Sequence, residues 1–145
     1  MAKFAQGKFT LKNPEKYRGN RTPTYRSSWE WAFMQFCDNH PSIVQWASEA
    51  IQIPYKNPLT GKASVYVPDF LVVYQGRNGS KIAELIEVKP KKETTMENAG
   101  KSQVTQARVV VNMAKWEAAS RWCKQNRIKF RVVTEDDIFH GSKKR

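Results

Sequence analysis

Within the stretch KIAELIEVKPKK, an alternating apolar run carries Glu87 and Lys89. Side chains two apart on a strand share a face, so Ala83, Leu85, Glu87 and Lys89 line up together. A carboxylate and an ammonium therefore fall in line with apolar residues. Upstream, Pro68-Asp69-Phe70 opens another strand-like run, SVYVPDFLVVY, which QGRNGS joins to the first. Two such runs around a Gly-containing turn form an antiparallel hairpin, and reversal through the turn sets Asp69 opposite Glu87 at the same end. Carboxylates that close repel, which raises at least one pKa unless a cation lies between them. A hard divalent ion, Mg²⁺ first, is held by one or two carboxylates with waters and substrate phosphate. It would activate water for attack on a phosphodiester, while Lys89 positions the nucleophile or offsets charge on phosphorus. Each member also has a plain structural role open to it. Asp69 could be a strand-entry residue, and Glu87 with Lys89 an exposed pair at a strand end.

The remaining elements must hold these residues in place. Ser27 followed three residues later by Glu30 is a capping box, which starts a helix that His40-Pro41 stops. On it Trp29, Phe33, Phe36 and Cys37 share a face, and Glu30 is explained as the cap partner of Ser27 as readily as by a site role. EAIQIPY alternates as a strand, and KKETTMENAG is a loop. From Lys101 to Asn126 an amphipathic helix is expected, with Val104, Ala107, Val111, Ala114, Ala118 and Trp122 on its apolar face. IKFRVVT is the last strand. The order is helix-strand-strand-strand-helix-strand, an α/β fold with a mixed central sheet flanked by helices, its last strand placed beside an earlier one by a crossover.

Composition narrows the partners. The chain has 145 residues, 25 Lys and Arg against 13 Asp and Glu, and a net charge of +12, which points to a polyanion. Seven of the basic residues lie in the first 26 positions beside one acid. Residues 1–26 lack helical or strand periodicity and are expected to form a basic extended arm outside the core. A domain over 27–140 and a basic tail over 141–145 would follow. Lys12, Lys16, Arg18, Arg21 and Arg26 in the arm suit phosphate contacts that carry no sequence information. No run approaches the roughly 20 apolar residues of a membrane span, and the N-terminus lacks a signal peptide's apolar segment. A soluble protein without membrane partners is the expectation. Cys37 and Cys123 have no ligand-spaced neighbours and read as packing residues.

An acid, Pro-Asp, then Glu-x-Lys in this order resembles the PD-(D/E)XK nuclease superfamily, with its restriction-endonuclease-like core. The segments QGKFTLKNPEKYRG, YRSSWEWAFMQFCDNHPSIVQWASEAIQIPY and YVPDFLVV look like the head-completion nucleases of large tailed phages. The acid, PDF and EVKP series is shared more distantly with TnsA-like transposase nucleases. These resemblances imply a Mg²⁺-dependent endonuclease, with Mn²⁺ able to substitute and exonuclease action also open, cutting double-stranded DNA. They imply metal binding at Asp69, Glu87 and Val88, catalysis at Lys89, and a supporting carboxylate at Glu30. Lys91 and Lys92, and Gln103 on the following helix, would add DNA contacts. They further imply trimming of packaged DNA before head-tail joining, head, portal or neck proteins as partners, and a place in the infected cell's cytoplasm or on the virion. A non-catalytic DNA-binding or joining protein, and a TnsA-like transposon-end endonuclease, remain alternatives.

Overall fold

A computed structural model describes residues 6–140; the tail expected at 141–145 lies outside them. The first helix, α1 (Ser28–Asn39), begins where Ser27 Oγ accepts the Glu30 N–H at 3.0 Å. It buries Phe33, Met34 and Cys37 against the sheet, while Phe36 turns outward. The central sheet has four strands: β3 (Ile43–Ser48), β6 (Phe70–Gln75), β7 (Lys81–Val88) and β8 (Lys129–Val133). They lie in that order, with the first two pairings antiparallel and β7 parallel to β8. Between β7 and β8 runs α3 (Gln103–Gln125), the helix of the crossover. Among the described residues, no helix is long and apolar enough to cross a membrane.

The mixed sheet flanked by helices agrees with a restriction-endonuclease-like core, and the order helix-strand-strand-strand-helix-strand holds within it. Two of its strands differ from expectation. The first is SIVQWAS rather than EAIQIPY. The latter contributes β4 (Ile53–Lys56), which among the described residues pairs with β5 (Ala63–Tyr66) in a separate hairpin. SVYVPDFLVVY accordingly breaks at Val67-Pro68-Asp69, where a buried proline without a donor ends the pairing. KKETTMENAG is not a plain loop, for it holds a 3-10 turn at Lys91–Glu93 and a short helix, α2 (Met96–Ala99).

Both faces of the sheet are covered. Phe33, Met34 and Cys37 of α1 pack on Phe70, Val72, Ile86 and Val88, and Ala118, Ala119 and Cys123 of α3 pack with Leu85 on the other side. The α3 face in contact is rotated from the expected one. Thr105, Val109 and Asn112 are buried, whereas Val104 is exposed, because the Asn112 Nδ2 donates to the Glu93 carbonyl at 3.0 Å and so tolerates burial.

The N-terminal segment is a correction to the arm outside the core. β1 (Gly7–Lys8) pairs with β2 (Thr24–Tyr25), and Phe9, 3% exposed, enters the core beside Trp46. Its anchor is Asp38, wholly buried on α1, whose carboxylate accepts the backbone N–H groups of Lys12 and Asn13 at 2.8 and 3.1 Å. A buried carboxylate needs such donors, and these residues supply them.

Candidate active site

At the end of the central sheet, β6 and β7 present their carboxylates to each other. Phe70 pairs with Ile86, so Asp69, one residue earlier, faces Glu87, one residue later. The two lock together through backbone donors: Val88 N–H donates to Asp69 Oδ2 at 2.8 Å, and Asp69 N–H donates to Glu87 Oε1 at 3.3 Å. Each acid thereby orients the strand that carries the other. Lys89 continues the strand, its N–H bonded to the Val133 carbonyl, and its Nζ stands 3.6 Å from Glu87 Oε2. Val88 turns its side chain into the α1-side core, so only its backbone could serve a ligand.

Burial holds the Asp69 carboxyl well above the usual carboxylate range, and repulsion from Glu87 and then Glu30 adds to this. Glu87 is raised as well, by burial, against the opposing pull of Lys89 and, more weakly, Lys115 on α3. Glu30 is raised by burial and shares the field of Glu49 and Lys89. Its Oε1 accepts the Arg26 N–H at 3.0 Å, one residue before the Ser27 N–H that a capping box would use. Glu30 thus does some capping while belonging to the electrostatics of the acid pair.

Two residues near this end carry more than the sequence suggested. Glu49 directly follows β3 with φ of 52°, donates its N–H to the Asp69 carbonyl at 2.9 Å, and its carboxylate pairs with the Arg26 guanidinium. Lys115 lies with its Nζ 5.6 Å from the Tyr66 ring centroid and 6.0 Å from that of Tyr55. Tyr66 is buried beside Glu87, and burial, then the Glu87 charge, pushes its phenol far up. Neither its hydroxyl nor the Trp116 indole N–H has a well-formed hydrogen bond. A seven-residue spacing of Lys101, Arg108 and Lys115 marks the lysine in the sequence, but nothing there ties it to Glu87.

The expected DNA contacts divide. Lys16 Nζ donates to the Asp38 and His40 carbonyls at 3.0 and 2.9 Å, so its ammonium closes the end of α1 in place of the phosphate contact expected for it. Arg26 is held by Glu49 at the site. The Arg18 guanidinium lies 3.2 Å from the Gln45 side-chain amide. Lys12 and Arg21 are exposed on the same N-terminal segment. Lys91 Nζ pairs with Asp136 at 3.1 Å, whereas Lys92 and Gln103, the first residue of α3, are exposed. The Gln106 side chain donates to the Gly100 carbonyl at 2.6 Å, a local loop contact.

The donor set suits a hard divalent cation. Two recessed carboxylates raised by burial and proximity would release their protons to such an ion, and magnesium sites need only one or two protein carboxylates with water and phosphate. No group of three or more His, Cys, Asp or Glu side chains placed to hold a metal occurs among the described residues, so an all-protein cage is not what these residues build.

Comparison with known proteins agrees with this geometry. Residues 40–135 match the family model described as "TnsA-like endonuclease N terminal". The chain is also 37% identical over 142 residues to the "Head completion nuclease" of Enterobacteria phage T4, covering 91% of this chain and 92% of that protein. The matched span takes in the Asp69, Glu87 and Lys89 strands together with β8 and α3, and with a full-length relative of the same type it places this chain among the PD-(D/E)XK-type nucleases, in the TnsA-like endonuclease family.

Proposed function

We propose that this nuclease cuts double-stranded DNA as a Mg²⁺-dependent endonuclease, with Mn²⁺ able to substitute and with little sequence preference. The observation that carries the reading is the facing pair Asp69 and Glu87 with Lys89 beside it. Asp69, Glu87 and the Val88 backbone carbonyl would hold the cation, which when bound supplies Lewis-acid activation of a water and of the scissile phosphate. Asp69 and Glu87, tied by each other's backbone donors, are fixed against one another at the paired strand ends. Lys89, half-buried and anchored through its N–H to β8, holds its ammonium where it orients the attacking water and offsets charge developing on the phosphorus. Glu30 adds negative charge that favours cation binding, with Glu49 beside it.

Lys12, Arg18, Arg21 and Lys92 would touch phosphates, which fixes position but reads no bases. By likeness to the phage relative, the biological task is completion of the virion head: trimming packaged DNA before head-tail joining, with head or neck proteins as partners, in the infected cell or on the particle. Incubating the protein with supercoiled plasmid tests the activity. Nicking and linearisation with Mg²⁺ or Mn²⁺, abolished by EDTA, are expected; cutting that survives EDTA would reject the metal role, and degradation only of linear DNA would reject the endonuclease mode.

A further inference from the structure

The β4–β5 hairpin lies outside the central sheet, yet its chain runs straight into the site. β5 ends at Tyr66, and only Val67 and Pro68 separate it from Asp69. One face of the hairpin, with Ile53 and Tyr66, is buried against Ala118, Ala119 and Cys123 of α3, so the hairpin is fixed to the scaffold that carries the catalytic strands. Strand alternation then turns Pro54, Lys56, Ala63 and Val65 to solvent.

Its tip is built to a definite shape. Gly61, at φ 73°, donates its N–H to the Asn57 carbonyl at 2.7 Å, and the Asn57 N–H reaches the Lys62 carbonyl at 2.9 Å. Asn57 Oδ1 accepts the Leu59 N–H at 2.8 Å, and Thr60 Oγ1 accepts the Lys62 N–H at 3.2 Å. This ordered turn holds Leu59 at 58% exposure, with Val65 and Val67 exposed below it. Leu59 takes no part in the core and is available for a contact made outside the chain.

Charge identifies the contact. From Ala50 to Pro68 there are two lysines, Lys56 and Lys62, and no acid. Lys115 adds a third cation at the hairpin's base, over the Tyr55 and Tyr66 rings. The acids Glu30, Glu49, Asp69 and Glu87 lie together at the catalytic end. A cationic projection beside a cation-binding acid pair matches a polyanion that must pass from one to the other. Lysines flanking a single exposed leucine suit duplex DNA, where ammonium groups meet phosphates and an apolar side chain presses on a groove or base step.

We propose that the β4–β5 hairpin is a duplex-docking element, with Lys56 and Lys62 on backbone phosphates and Leu59 against the groove, to one side of the cut. The proposal rests on the reading of the chain as a DNA nuclease. Asp69 lies seven steps of extended chain beyond Lys62, about 23 Å, so these contacts fall within about seven base pairs of the scissile bond at about 3.4 Å per pair.

The test uses duplex binding by the full chain carrying Asp69→Asn, and plasmid cleavage with Asp69 intact. Changing Lys56 and Lys62 together to Ser should weaken duplex binding about tenfold and reduce the log-log salt slope by about 1.8, two phosphates at about 0.9 each. In cleavage KM should rise while kcat stays within about twofold, because no group at the reacting atoms is touched. Leu59→Ser should weaken binding severalfold with an unchanged salt slope. If the double variant melts early, Lys62→Glu, at one exposed position, gives the same reading with a larger loss. Wild-type affinity and slope in these variants overturn the proposal and leave the tip to a protein partner. Failure of the wild type itself to bind or cut duplex DNA would instead remove the functional reading, and the hairpin assignment with it.

Discussion

Glu30→Gln separates two roles that one side chain holds at once. The carboxylate accepts the Arg26 N–H at 3.0 Å, and a glutamine oxygen can accept the same bond. Burial raises the Glu30 pKa, so replacing the charge removes a desolvation cost at neutral pH. Loss of a cap costs about 1 kcal/mol, which in a domain of this size is a shift of about 4 °C. Glu30→Gln should therefore melt within about 4 °C of the wild type, or slightly above it, whereas Glu30→Ala should fall by about that amount. Activity should behave differently. A carboxylate beside a bound divalent cation attracts it, an amide of the same shape does not, and a tenfold loss in rate needs only about 1.4 kcal/mol of that attraction. Single-turnover cleavage of plasmid by Glu30→Gln should fall at least tenfold. Cleavage within about twofold of wild type, with the melting temperature unchanged, would reduce Glu30 to a helix-start residue and refute its part in the site.

Three further outcomes follow from the geometry. In EDTA, Asp69→Asn should melt above the wild type by a margin that widens as pH rises from the ordinary carboxylate range, near 4, through the raised folded pKa. The folded Asp69 pKa is raised, so the native state holds protons that the unfolded carboxyl sheds near pH 4, and stability is lost as pH rises through that window. A margin that stays flat with pH would show that Asp69 titrates normally. Asp38→Ala strips the acceptor from two backbone donors of the N-terminal segment and should cost about 3–5 kcal/mol, or roughly 10–15 °C by calorimetry; a fall of only a few degrees would mean that the segment is held by its apolar residues alone. Lys89→Met should lower the single-turnover rate by about 10² to 10⁴ with DNA affinity little changed, and a loss below tenfold would make the lysine a mere partner of Glu87.

What was legible in the sequence was whatever depended on local periodicity. Alternation along KIAELIEVK and a turn of QGRNGS were enough to bring Asp69 and Glu87 face to face, because a hairpin's register follows from its turn. The helix start at Ser27 was equally local. Misplaced elements share another feature: their burial is arranged by partners distant in sequence. SIVQWAS is covered on both faces and so shows no clean alternation, while EAIQIPY alternates well yet pairs outside the sheet. Phe9 has no periodic neighbours and is buried by partners distant in sequence: its N–H donates to the Pro23 carbonyl, its ring meets Trp46, and Asp38 holds the chain a few residues on. Asn112 and Thr105 rotated the expected face of α3, since a polar residue whose bonds are met inside looks solvent-facing in a sequence. Glu49 came to the site through a left-handed backbone at a strand end, which no residue pattern announced.

Binding of Mn²⁺, followed by electron paramagnetic resonance and paired with plasmid cleavage, tests the central claim most directly. The wild type should bind the ion and cut. Asp69→Asn and Glu87→Gln, which keep the shape of the site and much of its hydrogen bonding, should lose both properties while retaining the fold and their affinity for duplex DNA. Mn²⁺ binding and cleavage at wild-type levels in either variant would contradict the assignment of Asp69 and Glu87 as the metal-holding pair.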